Sequence, residues 1–278
     1  MPTELPAPAL YSHPSLGRLW KKVHLSCSPF LHRTELQRLH CLPSTRIRKH
    51  FGRQSYSLLA LGCADGTKES LLLKRLPKPT SLLALDSNLT LARRATRRLP
   101  ARHKRSFKID LLKPLPPFHL PPSSIKLLTL FGVLPNLDPL PLLQRIAQRM
   151  KPGDLLLFSA NLAPGKSAFA GARKILSQYD NPPTRRWLEA AIRRYRPKLP
   201  RGRLDFSVQP DPRQHSLARI EARWINGQRT WIVFSSRRPT VAQVEIWIAK
   251  AGLSKAARFL DPRGEEALWL VGRSAARR

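Results

Sequence analysis

Cysteine is scarce in this chain. Cys27, Cys41 and Cys63 are the only three, and they cannot pair without a leftover thiol. That excludes a disulfide-stapled secreted scaffold and fits a reducing compartment. Long apolar runs are missing too: none approaches the ~20 residues that a membrane helix needs. No basic segment followed by an apolar one opens the chain, so no secretory signal is expected and the protein reads as cytoplasmic. Cys27, His32, His40 and Cys41 lack the Cys-x-x-Cys spacing of a zinc knuckle, so no metal site is expected. Acids are few, with 17 Asp and Glu against 50 Lys and Arg. Aromatic residues are not interleaved with the cations in the manner of base-stacking platforms.

What is present begins with that imbalance, a net charge of +33 over 278 residues. Such a field attracts polyanions whether or not binding them is the function. The cations are dense in Arg93–Lys108 and Arg185–Arg203, and Arg93, Arg94, Arg97 and Arg98 repeat as on a solvated helix face. Nucleic acid is therefore one candidate partner through the basic surface. Hydrophobic residues, at 42%, are those of an ordinary globular chain. Proline, with 27 residues, gathers in Leu115–Pro122, Pro135–Pro141 and Asn181–Pro183, which read as loops.

From Tyr56 the patterning sharpens. Apolar runs at Ser57–Leu61, Ser81–Leu85, Ser106–Ile109, Ile125–Phe131 and Asp154–Ala160 alternate with helical stretches at Thr67–Leu76, Leu89–Leu99 and Leu140–Met150. Continuously apolar strands alternating with helices of this length indicate a parallel sheet covered on both faces. Asn161–Arg203 then reads as helical and basic. Ser216–Ile225 and Gln228–Ser235 flank Asn226-Gly227, a hairpin signal. Val241–Ala251 reads as a helix stopped by Gly252, and Ala267–Val271 as a last strand. Before residue 50 the only element suggested is a short amphipathic helix within Leu31–Leu42.

The chemistry concentrates at three strand ends. The first strand enters Gly62-Cys63-Ala64-Asp65-Gly66, a Gly-x-Ala-x-Gly turn that allows close backbone approach to a ligand, and the helix behind it presents amides and a positive dipole end. Asp86 ends the second strand, 20 residues beyond Gly66, where a carboxylate accepts from both ribose hydroxyls. Asp110, at the end of the third, is placed for an adenine amino group. The loop lacks the full Gly-x-Gly-x-x-Gly form of nicotinamide enzymes, which turns the reading toward S-adenosylmethionine as cofactor.

With these residues in place, the sequence resembles the histidine-specific, S-adenosylmethionine-dependent methyltransferases, the ergothioneine-type L-histidine Nα-methyltransferases. Leu61–Leu73 resembles the family's first motif, and Lys68 stands where its lysine contacts the cofactor carboxylate. Thr129–Pro139 resembles a Gly-x-x-x-Asn segment, with Gly132 and Asn136 in register, the asparagine being the residue that touches the amino-acid substrate. The fifth strand and exit loop, Gln178-Tyr179-Asp180 and Arg219-Ile220-Glu221 also resemble family elements. The chain departs from the family at Cys41–Arg46, which lacks the paired tyrosines. It departs again at Phe234–Arg238, which keeps a serine, taken as Ser236, and has no glutamate of the Glu-x-Ser grip on imidazole.

The expectation is a Rossmann-like α/β fold of the class I methyltransferase type. A cofactor domain is formed by 51–160 and 240–278, with an inserted substrate domain at 161–239 that carries the hairpin, and the segment 1–50 packs with that insertion. Gly62, Ala64, Asp65, Gly66, Lys68, Asp86 and Asp110 are assigned to the cofactor. Gly132, Asn136, Tyr179 and Ser236 are assigned to a small amine or amino-acid substrate, and Asn136 and Tyr179 are the catalytic candidates. A monomer is expected. The rivals are an RNA-directed methyltransferase, although Asn181-Pro182-Pro183-Thr184 lacks the aromatic of the Asn-Pro-Pro-Tyr/Phe tetrapeptide, and a degenerate protein that binds cofactor or nucleic acid without catalysis.

Overall fold

The computed structural model describes residues 4–6, 9–117, 125–227 and 229–273. The end of the proline-rich stretch Leu115–Pro122 and the first residue of the expected strand Gln228–Ser235 lie outside the described residues. The chain forms two compact units, Met1–Arg33 with Asn161–Thr240, and Thr34–Ala160 with Val241–Arg278.

The larger unit is built on a seven-stranded sheet. Its strands are β1 (Tyr56–Leu61), β2 (Ser81–Asp86), β3 (His103–Lys108), β4 (Ile125–Leu130) and β5 (Leu155–Asn161), joined by two later strands, Leu253–Leu260 (β9) and Glu266–Arg273 (β10). Their order is β3-β2-β1-β4-β5-β10-β9. β1 pairs in parallel with β2 on one side and β4 on the other, Leu59 lying opposite both Leu83 and Leu128. β2–β3 and β4–β5 are parallel, whereas β10 and β9 run antiparallel. Every residue of β1 and β2 is buried, which is why these strands read as unbroken apolar runs. The strand order reverses between β1 and β4, the position where open α/β sheets bind ligands.

The helix Leu89–Arg98 illustrates how the covering layer is made. Asn88 caps it by accepting from Thr90 N–H and Leu91 N–H, at 3.0 and 3.3 Å. Only Ala92 and Ala95 are buried on it, so small residues meet the sheet while Arg93, Arg94, Arg97 and Arg98 stay in water. Pro139 opens the helix Pro139–Gln148 at a position where a missing N–H costs nothing.

The smaller unit has a three-stranded antiparallel sheet of β6 (Arg203–Pro210), β7 (Ala218–Asn226) and β8 (Arg229–Arg238). The pairing of Asn226 with Arg229 places the turn at the expected Asn226-Gly227. Phe206, Ala222 and Phe234 stand opposite one another across the three strands. They pack with Trp187, Leu188 and Ile192 of the helix Pro182–Tyr195, and with Leu10 and Leu16 near the amino terminus. Trp187 Nε1 donates to the Leu10 carbonyl at 3.2 Å, which satisfies the indole N–H inside this core.

The structure corrects several sequence expectations. The third strand begins at His103 and ends at Lys108, so Asp110 lies two residues beyond its end. β6 and β9 were not anticipated, nor were the helix Pro14–Cys27 and the helix Pro43–Phe51.

Candidate functional site

At the carboxyl end of β1 the chain turns through left-handed conformations. Gly62 and Gly66 have φ of +60° and +77°, and Ala64 joins them at +46°. A side chain in this region costs roughly 1–2 kcal/mol. The Ala64 amide offsets part of that cost by donating to Asp86 Oδ2 at 2.9 Å. The two glycines also admit neighbouring protein: a Cβ on Gly62 would lie 2.5 Å from Val133 Cγ2, and one on Gly66 would lie 3.1 Å from the Leu99 side chain.

Asp65 is turned toward the following helix, Thr67–Leu73. Its Oδ1 accepts from Thr67 N–H at 3.2 Å and from the Thr67 hydroxyl at 2.6 Å. Its Oδ2 pairs with Arg98 Nη2 at 3.1 Å. The first turn of this helix was expected to hold its amides open. Of those amides, Thr67 N–H is taken by Asp65, and the helical ladder begins with Ser70 N–H on the Gly66 carbonyl.

Asp86 is the last residue of β2 and is 8% exposed. Burial raises its pKa, while amide donation from Asn88 and Ala64 draws it back. Asn88 N–H reaches Oδ1 at 2.8 Å and Ala64 N–H reaches Oδ2. The Ser87 side chain donates to the same carboxylate, and each oxygen accepts two bonds, so the group keeps an acceptor position for a ribose hydroxyl. Asp110 is half-buried, and its Oδ1 accepts from Leu112 N–H at 2.9 Å. Cys63 is no nucleophile: burial pushes its thiol far above the ordinary range.

Lys68 Nζ lies 3.1 Å from Glu266 Oε1, and His40 Nε2 is 3.4 Å from the same oxygen. Burial pushes Glu266 up, but the Lys68 charge and His40 outweigh it and hold the carboxyl well below the usual range. Burial lowers His40, which is neutral. Gly132 follows β4 at φ +71°, with its N–H donating to Ser159 Oγ at 2.9 Å. Asn136 closes the 3₁₀ turn Leu134–Asn136 and is half-buried.

In the other unit the structure brings Tyr179 and Ser236 together, with their hydroxyls 3.4 Å apart. The Tyr179 ring leans on Phe234 at 5.9 Å, and the buried Arg238 guanidinium lies 4.9 Å from its centre. Sequence reasoning missed Arg238, His40, Glu69 and Glu266. The available signal was an acid at an apolar position in so basic a chain: Glu69 and Glu266 each sit within apolar patterning. His40 figures in the sequence only as a candidate metal ligand, beside Cys27, His32 and Cys41. Among the described residues, no group of three or more His, Cys, Asp or Glu is arranged to hold a metal, and no helix is long and apolar enough to cross a membrane.

No family model matches the sequence, and no curated protein matches it. Solved structures do match. An S-adenosylmethionine-dependent methyltransferase from Clostridium acetobutylicum is 11% identical, with 93% of this chain and 99% of that one covered and a TM-score of 0.52. The N,N-8-amino-8-demethyl-D-riboflavin dimethyltransferase of Streptomyces davawensis is 15% identical at a TM-score of 0.53, over 97% of this chain and 62% of that one. The magnesium protoporphyrin IX methyltransferase of Synechocystis is 11% identical at 0.51, over 95% and 96%. At such identities the likeness carries the fold and not the substrate. The fold is the Rossmann-like fold of class I S-adenosylmethionine-dependent methyltransferases.

Proposed function

We propose that the protein is an S-adenosylmethionine-dependent N-methyltransferase whose acceptor is a small amine or amino acid. One observation carries the cofactor assignment: a buried carboxylate, Asp86, ends β2 and binds the amide of the glycine loop that ends β1. A carboxylate at the end of the strand next to β1 suits a ribose hydroxyl. The other groups suit the same molecule. Asp110 offers an acceptor for an adenine amino group, and the Lys68 ammonium offers a partner for a carboxylate. Gly62, Ala64, Asp65 and Gly66 shape the loop between them. When bound, S-adenosylmethionine supplies a methyl group activated on a sulfonium.

On the acceptor side, Gly132, Asn136, Tyr179 and Ser236 are assigned to the substrate. An asparagine amide donates to or accepts from an imidazole or carboxylate, and a tyrosine hydroxyl orients an amine lone pair. Methyl transfer is an in-line displacement, so positioning supplies much of the rate. Histidine is the first amino acid to try, on the resemblance of Thr129–Pro139 and Gln178–Asp180 to the histidine-specific enzymes. Calorimetry of S-adenosylmethionine binding, with NAD as the control ligand, tests the reading. Binding at micromolar strength that is lost in Asp86→Ala and weakened in Asp86→Asn, which keeps an acceptor for one of the two amides, supports it. A folded protein that binds NAD or neither ligand refutes it.

A second reading, an RNA-directed methyltransferase, is favoured by β3. This sheet-edge strand reads His-Lys-Arg-Ser-Phe-Lys and is exposed at five of its six positions, beside the four exposed arginines of Leu89–Arg98. RNA affinity that falls steeply with salt and weakens in Arg97→Glu/Lys104→Glu supports that reading. Affinity unchanged by either rejects it.

A further inference from the structure

We infer that Glu266 and His40 are positioning residues that fix the Lys68 ammonium at the carboxyl end of β4, as the receptor for the carboxylate of the cofactor's amino-acid tail. The inference rests on the cofactor reading above and extends it to two residues remote in sequence.

The three side chains converge from separate elements. His40 comes from the turn after the helix Thr34–Leu39, Lys68 from the first turn of Thr67–Leu73, and Glu266 from the first residue of β10. His40 is wholly buried, and its ring meets Phe131 edge-on at 4.8 Å. Phe131 is the first residue after β4 and Gly132 the second. A Cβ on Gly132 would lie 3.9 Å from Lys68 Nζ, so the ammonium sits against the backbone where β4 leaves the sheet. That is one of the two strands flanking the reversal of strand order. Of the ion pair, the lysine side is the more open: its side chain is 19% exposed against 7% for Glu266.

An ammonium carries three donors, so the bond to Glu266 does not exhaust it. A lysine stem is rich in rotamers, and ordering one on ligand binding costs affinity. Anchoring it beforehand on a buried acid removes much of that cost. His40, wholly buried with its Nε2 3.4 Å from Glu266 Oε1, holds that acid from a second element. The titratable groups around Lys68 are Glu266 on β10, His40 on the preceding turn and Glu69 on its own helix. Of these, Glu266 alone is held firmly ionised. Without it, the ammonium loses the partner that fixes its position.

The test compares two nucleosides on the full-length protein. S-adenosylhomocysteine carries the amino-acid tail, and methylthioadenosine lacks it. Binding of each is measured at one pH. The proteins are the wild type, Glu266→Gln, His40→Gln, Lys68→Met and the Lys68→Met/Glu266→Gln double variant. Relative to wild type, Glu266→Gln is expected to lose roughly tenfold of the preference for S-adenosylhomocysteine. His40→Gln loses a smaller part of it. Lys68→Met loses the preference, and Glu266→Gln added to it changes the ratio no further. The inference is overturned if Glu266→Gln weakens both nucleosides alike, the mark of a purely structural role, or if it keeps the wild-type preference. If wild type binds neither nucleoside, the cofactor reading itself falls and takes this inference with it.

Discussion

Glu69 offers a direct test of the packing beneath the glycine loop. The side chain is 1% exposed, and its Oε1 accepts from the Thr129 hydroxyl on β4 at 3.2 Å. Burial lifts its pKa from 4.5 to about 7, against smaller opposing effects of hydrogen bonding and of the Lys68 charge. A carboxyl with a raised folded-state pKa holds its proton more tightly in the native than in the unfolded chain. Its stabilising contribution is therefore complete below about pH 4.5 and is lost as pH rises through about 7. A pKa difference of this size corresponds to about 3 kcal/mol. Glu69→Gln keeps the shape and the acceptor for Thr129 but has nothing to ionise. Urea unfolding should find the variant more stable than wild type by about 3 kcal/mol near pH 8, and by less than about 1 kcal/mol near pH 5. An equal gain at both pH values, or none near pH 8, would refute the assignment of Glu69 as a carboxyl neutralised by burial.

Other perturbations follow from particular contacts. Gly62→Ala combines a left-handed backbone with a 2.5 Å approach to Val133 and should cost about 2–4 kcal/mol by thermal unfolding. Adding Val133→Ala should relieve the crowding and leave the backbone cost. If the pair is no better than the single variant, the crowding account is wrong. In the smaller unit, Glu221 is buried and accepts from both Arg219 and Arg223. Arg219 keeps its pair with Glu4 and Arg223 is partly exposed, so Glu221→Ala should cost about 1–3 kcal/mol, and replacing Glu221, Arg219 and Arg223 together by apolar residues should cost less. If the triple replacement costs more, the charges are worth more than their desolvation. Finally, a chain of charge +33 repels a cationic sulfonium more than its neutral thioether product. The affinity of S-adenosylmethionine relative to S-adenosylhomocysteine should therefore rise with salt as the field is screened. A ratio independent of salt would mean that the site feels only its own acids.

The central sheet was legible because its strands are buried on both faces. β1, β2, β4 and β5 announce themselves as apolar runs, and the turns after them carry the glycine and the acids. What escaped lies at edges. β3 faces water along most of its length, and β9 is exposed at five of its eight residues. Neither needed apolar patterning, because pairing on one side holds them in place. β6 alternates Leu204, Phe206 and Val208, but charged neighbours hide that period within a basic stretch. The helix Pro14–Cys27 buries only Leu16 fully. Its hold on the small unit comes from half-buried contacts such as Trp20 on Tyr11, whose ring in turn meets Trp187, which no window of sequence reveals.

The site was legible to the extent that it is local. Asp86 and the loop at Gly62–Gly66 belong to one β-α-β unit, so their juxtaposition follows from strand order once the strands are known. The contacts of Lys68 depend instead on His40 and Glu266, which come from either side of that unit and meet it only through tertiary packing. Composition nonetheless constrains where such partners arise. With three cations for every acid, an exposed acid finds a counter-charge anywhere, and its position says little. A buried acid is different: it must be desolvated, and it persists only where specific donors meet it. Asp86 meets two loop amides, Glu69 a threonine hydroxyl, and Glu266 a lysine and a histidine. All three stand around the carboxyl ends of β1, β2 and β4 or on the helix between them. Burial alone does not single out that end, since Asp154 is equally buried at the amino end of the sheet, on the Lys126 amide, and Glu221 in the smaller unit; what marks it is a buried acid met by the amides of the glycine loop, as Asp86 is.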